Sequence, residues 1–63
     1  MNAELKKLLD MHNGKQAVVA AAFGVTEQAV SRWMRLQRLP RARAEQARDR
    51  WGLDAARLMG VAR

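Results

Sequence analysis

Residues 16–33, "QAVVAAAFGVTEQAVSRW", set two helix-forming runs on either side of only three residues, Gly24-Val25-Thr26. No other feature of the chain constrains its fold as much. So short a link leaves no room for a strand or a long excursion, so the two helices must touch and cross steeply. Ala20 is small where the helices approach, and Gly24 permits the unusual backbone angles such a turn needs. Val25 and Val30 are placed to fill the space between the helices, with Trp33 covering the base.

The remainder of the chain reads as more helix around that pair. Leu5, Leu8, Leu9 and His12 share one face of a first segment, Ala3 to about Met11, with Lys6, Lys7 and Asp10 opposite. Asn2 suits its N-cap, and Asn13-Gly14 tolerate the left-handed conformation that closes it. The second segment, Gln16 to Phe23, carries Val19, Ala20 and Phe23 on one side and stops at Gly24. Thr26 is the expected N-cap of the third, Glu27 to about Leu36, where Glu27 sits near the positive helix end. At ~100° per residue, Ala29, Val30, Trp33 and Leu36 fall on one side of it. Glu27, Gln28, Ser31, Arg32 and Arg35 fall on the other, and Met34 lies at the boundary. Pro40 suits the first turn of a fourth helix that runs to about Trp51 with Ala44, Ala47 and Trp51 as its stripe. Gly52 ends it, Asp54 caps a fifth from Ala55 to about Met59, and Gly60 closes that. Neither a strand pattern nor an internal repeat interrupts this order.

Sixty-three residues allow a single domain, 1–63, with a core too small for more than a few kcal/mol of stability. No Cys is present to staple it or to hold a metal, and a lone His makes no metal site. No apolar run reaches the roughly 18 residues that span a bilayer, and the N-terminus has no signal-peptide core. These features predict a soluble cytoplasmic protein without metal or cofactor. The net charge of +6 is unevenly placed. Lys6, Lys7 and Lys15 cancel Glu4, Asp10 and Glu27 up to residue 31, whereas every excess charge beyond it is Arg. Arg presents a planar fork suited to phosphates and guanine edges, so a polyanionic partner is favoured over a merely solvated basic surface.

The spacing Q-x3-A-x3-G-V-x4-V-S-x-W, formed by Gln16, Ala20, Gly24, Val25, Val30, Ser31 and Trp33, resembles the helix-turn-helix of the phage Cro/repressor family. The likeness is greatest to its all-helical Cro and antitoxin-like members. It is strong over residues 16–35 and weaker over 1–59. It implies an all-α, compact five-helix lambda-repressor-like domain that binds double-stranded DNA. By position, Gln16 matches a residue that holds a backbone phosphate, and Lys15 is placed beside it. Thr26, Glu27, Gln28, Ser31, Arg32 and Arg35 match the outward, base-reading positions of the recognition helix. Glu27 departs from the pattern, where Gln is frequent; a Glu accepts from cytosine N4 rather than reading adenine. The founding Cro proteins dimerise through terminal strands, and this chain has no such pattern, so that mode does not carry over. A homodimer on a two-fold site, acting as a repressor, is nevertheless what the resemblance implies.

Several residues carry two readings. Arg35, Arg38, Arg41 and Arg43, at and beyond the end of the third helix, read as a phosphate clamp, or as solubilising charges with Glu45 pairing Arg41 or Arg48. Arg32, in the middle of the recognition helix, is the residue placed for bidentate guanine contact. Trp33 and Trp51 lie on apolar faces, which assigns them to the core rather than to base stacking. His12 reads as a packed or capping residue. Leu58, Met59 and Val61 either fray or cover a partner subunit. The main rival to a DNA regulator is an antitoxin-like module that binds a partner protein first and DNA second. A membrane-active peptide fails on its short, Gly-broken helices, and an enzyme fails for want of a catalytic set.

Overall fold

The computed structural model describes residues 2–60, which are all-helical with no strand. The helices are α1 (Ala3–Met11), α2 (Gln16–Phe23), α3 (Glu27–Leu36), α4 (Arg41–Trp51) and α5 (Ala55–Leu58). Their ends follow local chemistry. The Asn2 carboxamide oxygen accepts from the amides of Glu4 at 3.1 Å and Leu5 at 3.2 Å. Thr26 Oγ1 accepts from Ala29 N–H at 3.2 Å, and Asp54 Oδ1 from Arg57 N–H at 3.1 Å. Each satisfies helix amides that have no partner within the helix. Pro40 departs slightly from the sequence reading. It is the N-cap of α4, extended at φ −60° and ψ 153°, and lies just outside the first turn. Its carbonyl opens the helix by accepting from Ala44 N–H at 2.9 Å.

The turn between α2 and α3 is closed by Gly24 at φ 71°. Val25 N–H donates to Ala20 O at 3.0 Å, which draws the chain back across the end of α2. A Cβ built on Gly24 would meet nothing within 4 Å, so the site is strained for side chains without being crowded. Gly24→Val is therefore expected to cost about 1–2 kcal/mol through backbone strain alone. In a domain this small the melting temperature should fall by roughly 5 °C or more in a calorimetric scan. Gly24→Asn, which tolerates the left-handed region, should lose less.

One core runs through all five helices. Leu5, Leu8, Val19, Val30 and Leu58 are its largest fully buried side chains. Ala20, Ala44 and Ala47 let the backbones approach, and Phe23, Trp33, Leu39 and Leu53 complete it. The stripes read from the sequence in α1, α2 and α4 thus face the core, although Leu9 is only half-buried. Phe23 meets Trp33 and Trp51 edge-on at 5.5 and 5.3 Å, and Trp51 meets His12 at 4.8 Å. Trp51 is only half-buried but belongs to this aromatic chain. His12 caps α1, with Nδ1 2.7 Å from Leu8 O.

Three further placements differ from the sequence reading. Leu36, put on the apolar side of α3, is 46% exposed. At ~100° per residue it sits about 90° from the middle of the arc held by Val30 and Trp33. Leu58 neither frays nor waits for a subunit; it is fully buried against α1 and α4 within the single chain. Met59 packs against the same core, and Val61 lies outside the described residues. Glu4, counted only as a charge, is 5% exposed. Its Oε2 accepts from Asp54 N–H at 2.8 Å, so the first turn of α1 clasps the start of α5. Among the described residues no helix is long and apolar enough to cross a membrane.

Candidate nucleic-acid interface

The site is assembled by the α2–α3 pair. Val30 and Trp33 anchor one side of α3 in the core, which turns the opposite side outward. Thr26, Glu27, Gln28, Ser31, Arg32 and Arg35 are all exposed. Gln28, Ser31, Arg32 and Arg35 follow the i, i+3, i+4, i+7 spacing that lays four side chains along one helical face. Thr26 is held differently, because its hydroxyl oxygen is already the N-cap acceptor. Its hydroxyl proton remains free to donate.

Charge pairing is uneven over the surface, and Lys15, Arg43 and Arg50 join the Arg of this face in having no carboxylate within 4.0 Å among the described residues. Among the described residues, Lys6 pairs with Asp10 at 2.9 Å, Lys7 with Glu4 at 3.5 Å and Arg41 with Glu45 at 3.1 Å. Arg48 pairs with Asp49 at 3.3 Å and Arg57 with Asp54 at 3.8 Å. Arg32, Arg35 and Arg38 have no carboxylate within 4.0 Å among those residues. The three lie along and just past α3, so unneutralised guanidinium charge concentrates beside the amide and hydroxyl of Gln28 and Ser31. An arrangement of this kind can hold phosphate oxygens and present forked donors to base edges at once.

The residues expected to hold phosphates are placed unevenly. Lys15 is the exposed N-cap of α2 and gives no side-chain cap; Val18 N–H turns back to Lys15 O at 3.2 Å, which leaves the amides of Gln16 and Ala17 open beside it. Gln16, half-buried, opens the same helix. Arg38 is exposed on the loop between α3 and α4. Arg41 is exposed but engaged with Glu45, an i,i+4 surface pair worth a few tenths of a kcal/mol. Arg43 is half-buried and donates to Gln46 Oε1 at 3.0 Å. The structure thus gathers Arg32, Arg35 and Arg38 on and just past one helix, whereas Arg41 and Arg43 carry local partners.

Sequence reasoning missed what fixes the far end of α3. Gln37 closes the helix in the left-handed region at φ 58°, a position that favours Gly. Its side chain accounts for the exception. Gln37 Oε1 accepts from Asn2 N–H at 2.8 Å, and Nε2 donates to Met34 O. Asn2 Nδ2 donates in return to Gln37 O at 3.2 Å and to Arg57 O at 2.6 Å. Leu39 N–H donates to Leu58 O at 2.7 Å, pinning the next loop as well. The bonds of Asn2 join residues 35 and 55 positions apart, and no local pattern announces them. Gln37→Ala is expected to lose about 1–2 kcal/mol, since it removes two hydrogen bonds and keeps the backbone strain. Gln37→Gly should recover about 1 kcal/mol of that in urea titrations, by relieving the strain alone.

Arg50 reinforces the other end of the unit. Its guanidinium donates to Ala22 O near the end of α2 and lies 4.7 Å from the centroid of the Trp51 ring. A cation at the negative end of a helix is favourable, so this Arg serves α2 rather than a ligand.

Comparison of the chain with known protein families, with characterised proteins and with solved structures finds no match in any of the three. A functional reading therefore stands on the geometry above and on the residues that resemble the Cro/repressor pattern.

Proposed function

We propose that this protein is a sequence-specific, DNA-binding transcriptional regulator of the Cro/repressor type. The observation that carries the reading is the exposed arc of Gln28, Ser31, Arg32 and Arg35, with Arg32, Arg35 and Arg38 unpaired by any carboxylate among the described residues. In this reading α3 enters the major groove and α2 crosses the backbone, with the open amides beside Lys15 and Gln16 facing a phosphate. Gln28 and Arg32 address base edges, Ser31 and Thr26 supply hydroxyls, and Glu27 accepts from a cytosine amine. Arg38, Arg41 and Arg43 hold the flanking phosphate strand, and Arg41 exchanges Glu45 for phosphate.

A single ten-residue helix reads only part of a site, so two copies act together on a two-fold operator. Their half-sites lie about 34 Å apart, or a multiple of that. Occupying a promoter in the cytoplasm then blocks transcription. The direct test is selection of binding sites from random duplex DNA. The expected result is one palindromic consensus that two copies bind. Affinity should fall steeply with salt, as expected when several phosphates are neutralised. Tight one-to-one binding to an isolated half-site would overturn the dimeric reading, and recovery of no duplex would overturn the DNA reading.

A further inference from the structure

Beside the C-terminal half of α3 runs an open groove of roughly 410 Å³. Its lining is apolar at Trp33, Leu36, Leu39 and Pro40 and cationic at Arg32 and Arg38. Trp33 and Leu39 show the groove only an edge, whereas Leu36 lies open to solvent. Phosphates and base edges make use of the two Arg, but DNA offers Leu36 little apolar surface beyond a thymine methyl. The apolar lining therefore asks for an occupant with large apolar side chains, and the two Arg ask for carboxylates.

We propose that this groove docks an acidic segment of another protein that carries large apolar side chains, and that this docking excludes DNA. Charge complementarity selects the occupant. Arg32 and Arg38 have no carboxylate within 4.0 Å among the described residues. A second copy would bring its own Arg32 and Arg38 and a further net charge of +6, which repels rather than complements. A small ligand would stay largely exposed in so open a groove, whereas a helix or extended strand lays its apolar side along it. Only the exclusion clause rests on the DNA reading, because it requires that Arg32 and Arg38 serve both partners.

The test pans a phage-displayed library of short peptides against the full chain. Enriched peptides should combine Asp or Glu with Leu, Phe or Trp. A synthetic winner should lose about tenfold or more in affinity on Leu36→Lys and on Arg38→Glu. Leu36 and Arg38 are both exposed, so the two variants should melt like the original protein. Random duplex DNA should displace the peptide, and Leu36→Lys should still bind that DNA. The docking proposal is overturned by no enrichment over a blank surface, or by winners that bind Leu36→Lys undiminished. Equal binding of purely acidic peptides also overturns it, as does a dimer in sedimentation that Leu36→Lys dissolves. A stable ternary complex with DNA overturns the exclusion. Peptide binding without any DNA binding would retain the docking site and remove the DNA reading, and the converse would remove the docking site alone.

Discussion

Leu58→Ala is expected to leave much of the protein unfolded at room temperature, although the residue lies near the end of the described chain. Leu58 is fully buried, on a helix of only four residues. Truncating a buried Leu to Ala removes its transfer free energy and leaves a cavity, a loss of about 2–5 kcal/mol. A single core in a chain this short supplies rarely more than about 3–5 kcal/mol, so the loss approaches the whole stability. The effect should reach the candidate interface as well. Leu58 O holds Leu39 N–H at 2.7 Å, and Leu39 lies between Arg38 and Pro40 on the loop after α3. Helical circular dichroism with urea titration gives the measurement. Met11→Ala provides the contrast, since Met11 is 51% exposed and its loss should stay within about 0.5 kcal/mol. An unchanged urea midpoint for Leu58→Ala would mean that α5 does not belong to the core.

The helices were legible because their signals are local. Asn2, Thr26 and Asp54 precede the runs they cap, Gly24 and Gly52 follow the runs they close, and the apolar stripes repeat within one or two turns. The outward arc of α3 was legible for the same reason, since fixing Val30 and Trp33 inward fixes Gln28, Ser31 and Arg32 outward. Illegible features depend on distant partners. Nothing near Glu4 in sequence shows that its carboxylate reaches Asp54, and nothing near Gln37 shows that it meets Asn2. Leu39 and Leu53 sit outside helices, so periodicity passes over them, yet both are buried where loops fold back on the core. Leu36 is the converse: an apolar residue at the rim of the stripe, where ~100° per residue leaves the choice of side to the neighbouring helix. Among the described residues no helix covers it, and it lines the groove.

Arg32→Ala should separate reading from clamping. Arg32 projects from the middle of α3 with no ion pair among the described residues, so its removal breaks no ion pair there. If it forks onto a guanine, the variant loses about 1–3 kcal/mol on the selected site, roughly five- to hundredfold. On random duplex the loss should be much smaller. Arg43→Ala should weaken both kinds of DNA alike and make the salt dependence shallower by about one counterion. Arg41→Ala should do the same with a smaller loss, because Arg41 must first give up its 3.1 Å pair with Glu45 to reach a phosphate. The comparison requires both duplexes at several salt concentrations, since any lost Arg weakens binding to a polyanion. Equal losses on selected and random DNA for Arg32→Ala would make Arg32 a phosphate contact. Sequence reading would then fall to Gln28 and Ser31, and Arg35 and Arg38 would join Arg32 in a purely electrostatic grip on the backbone.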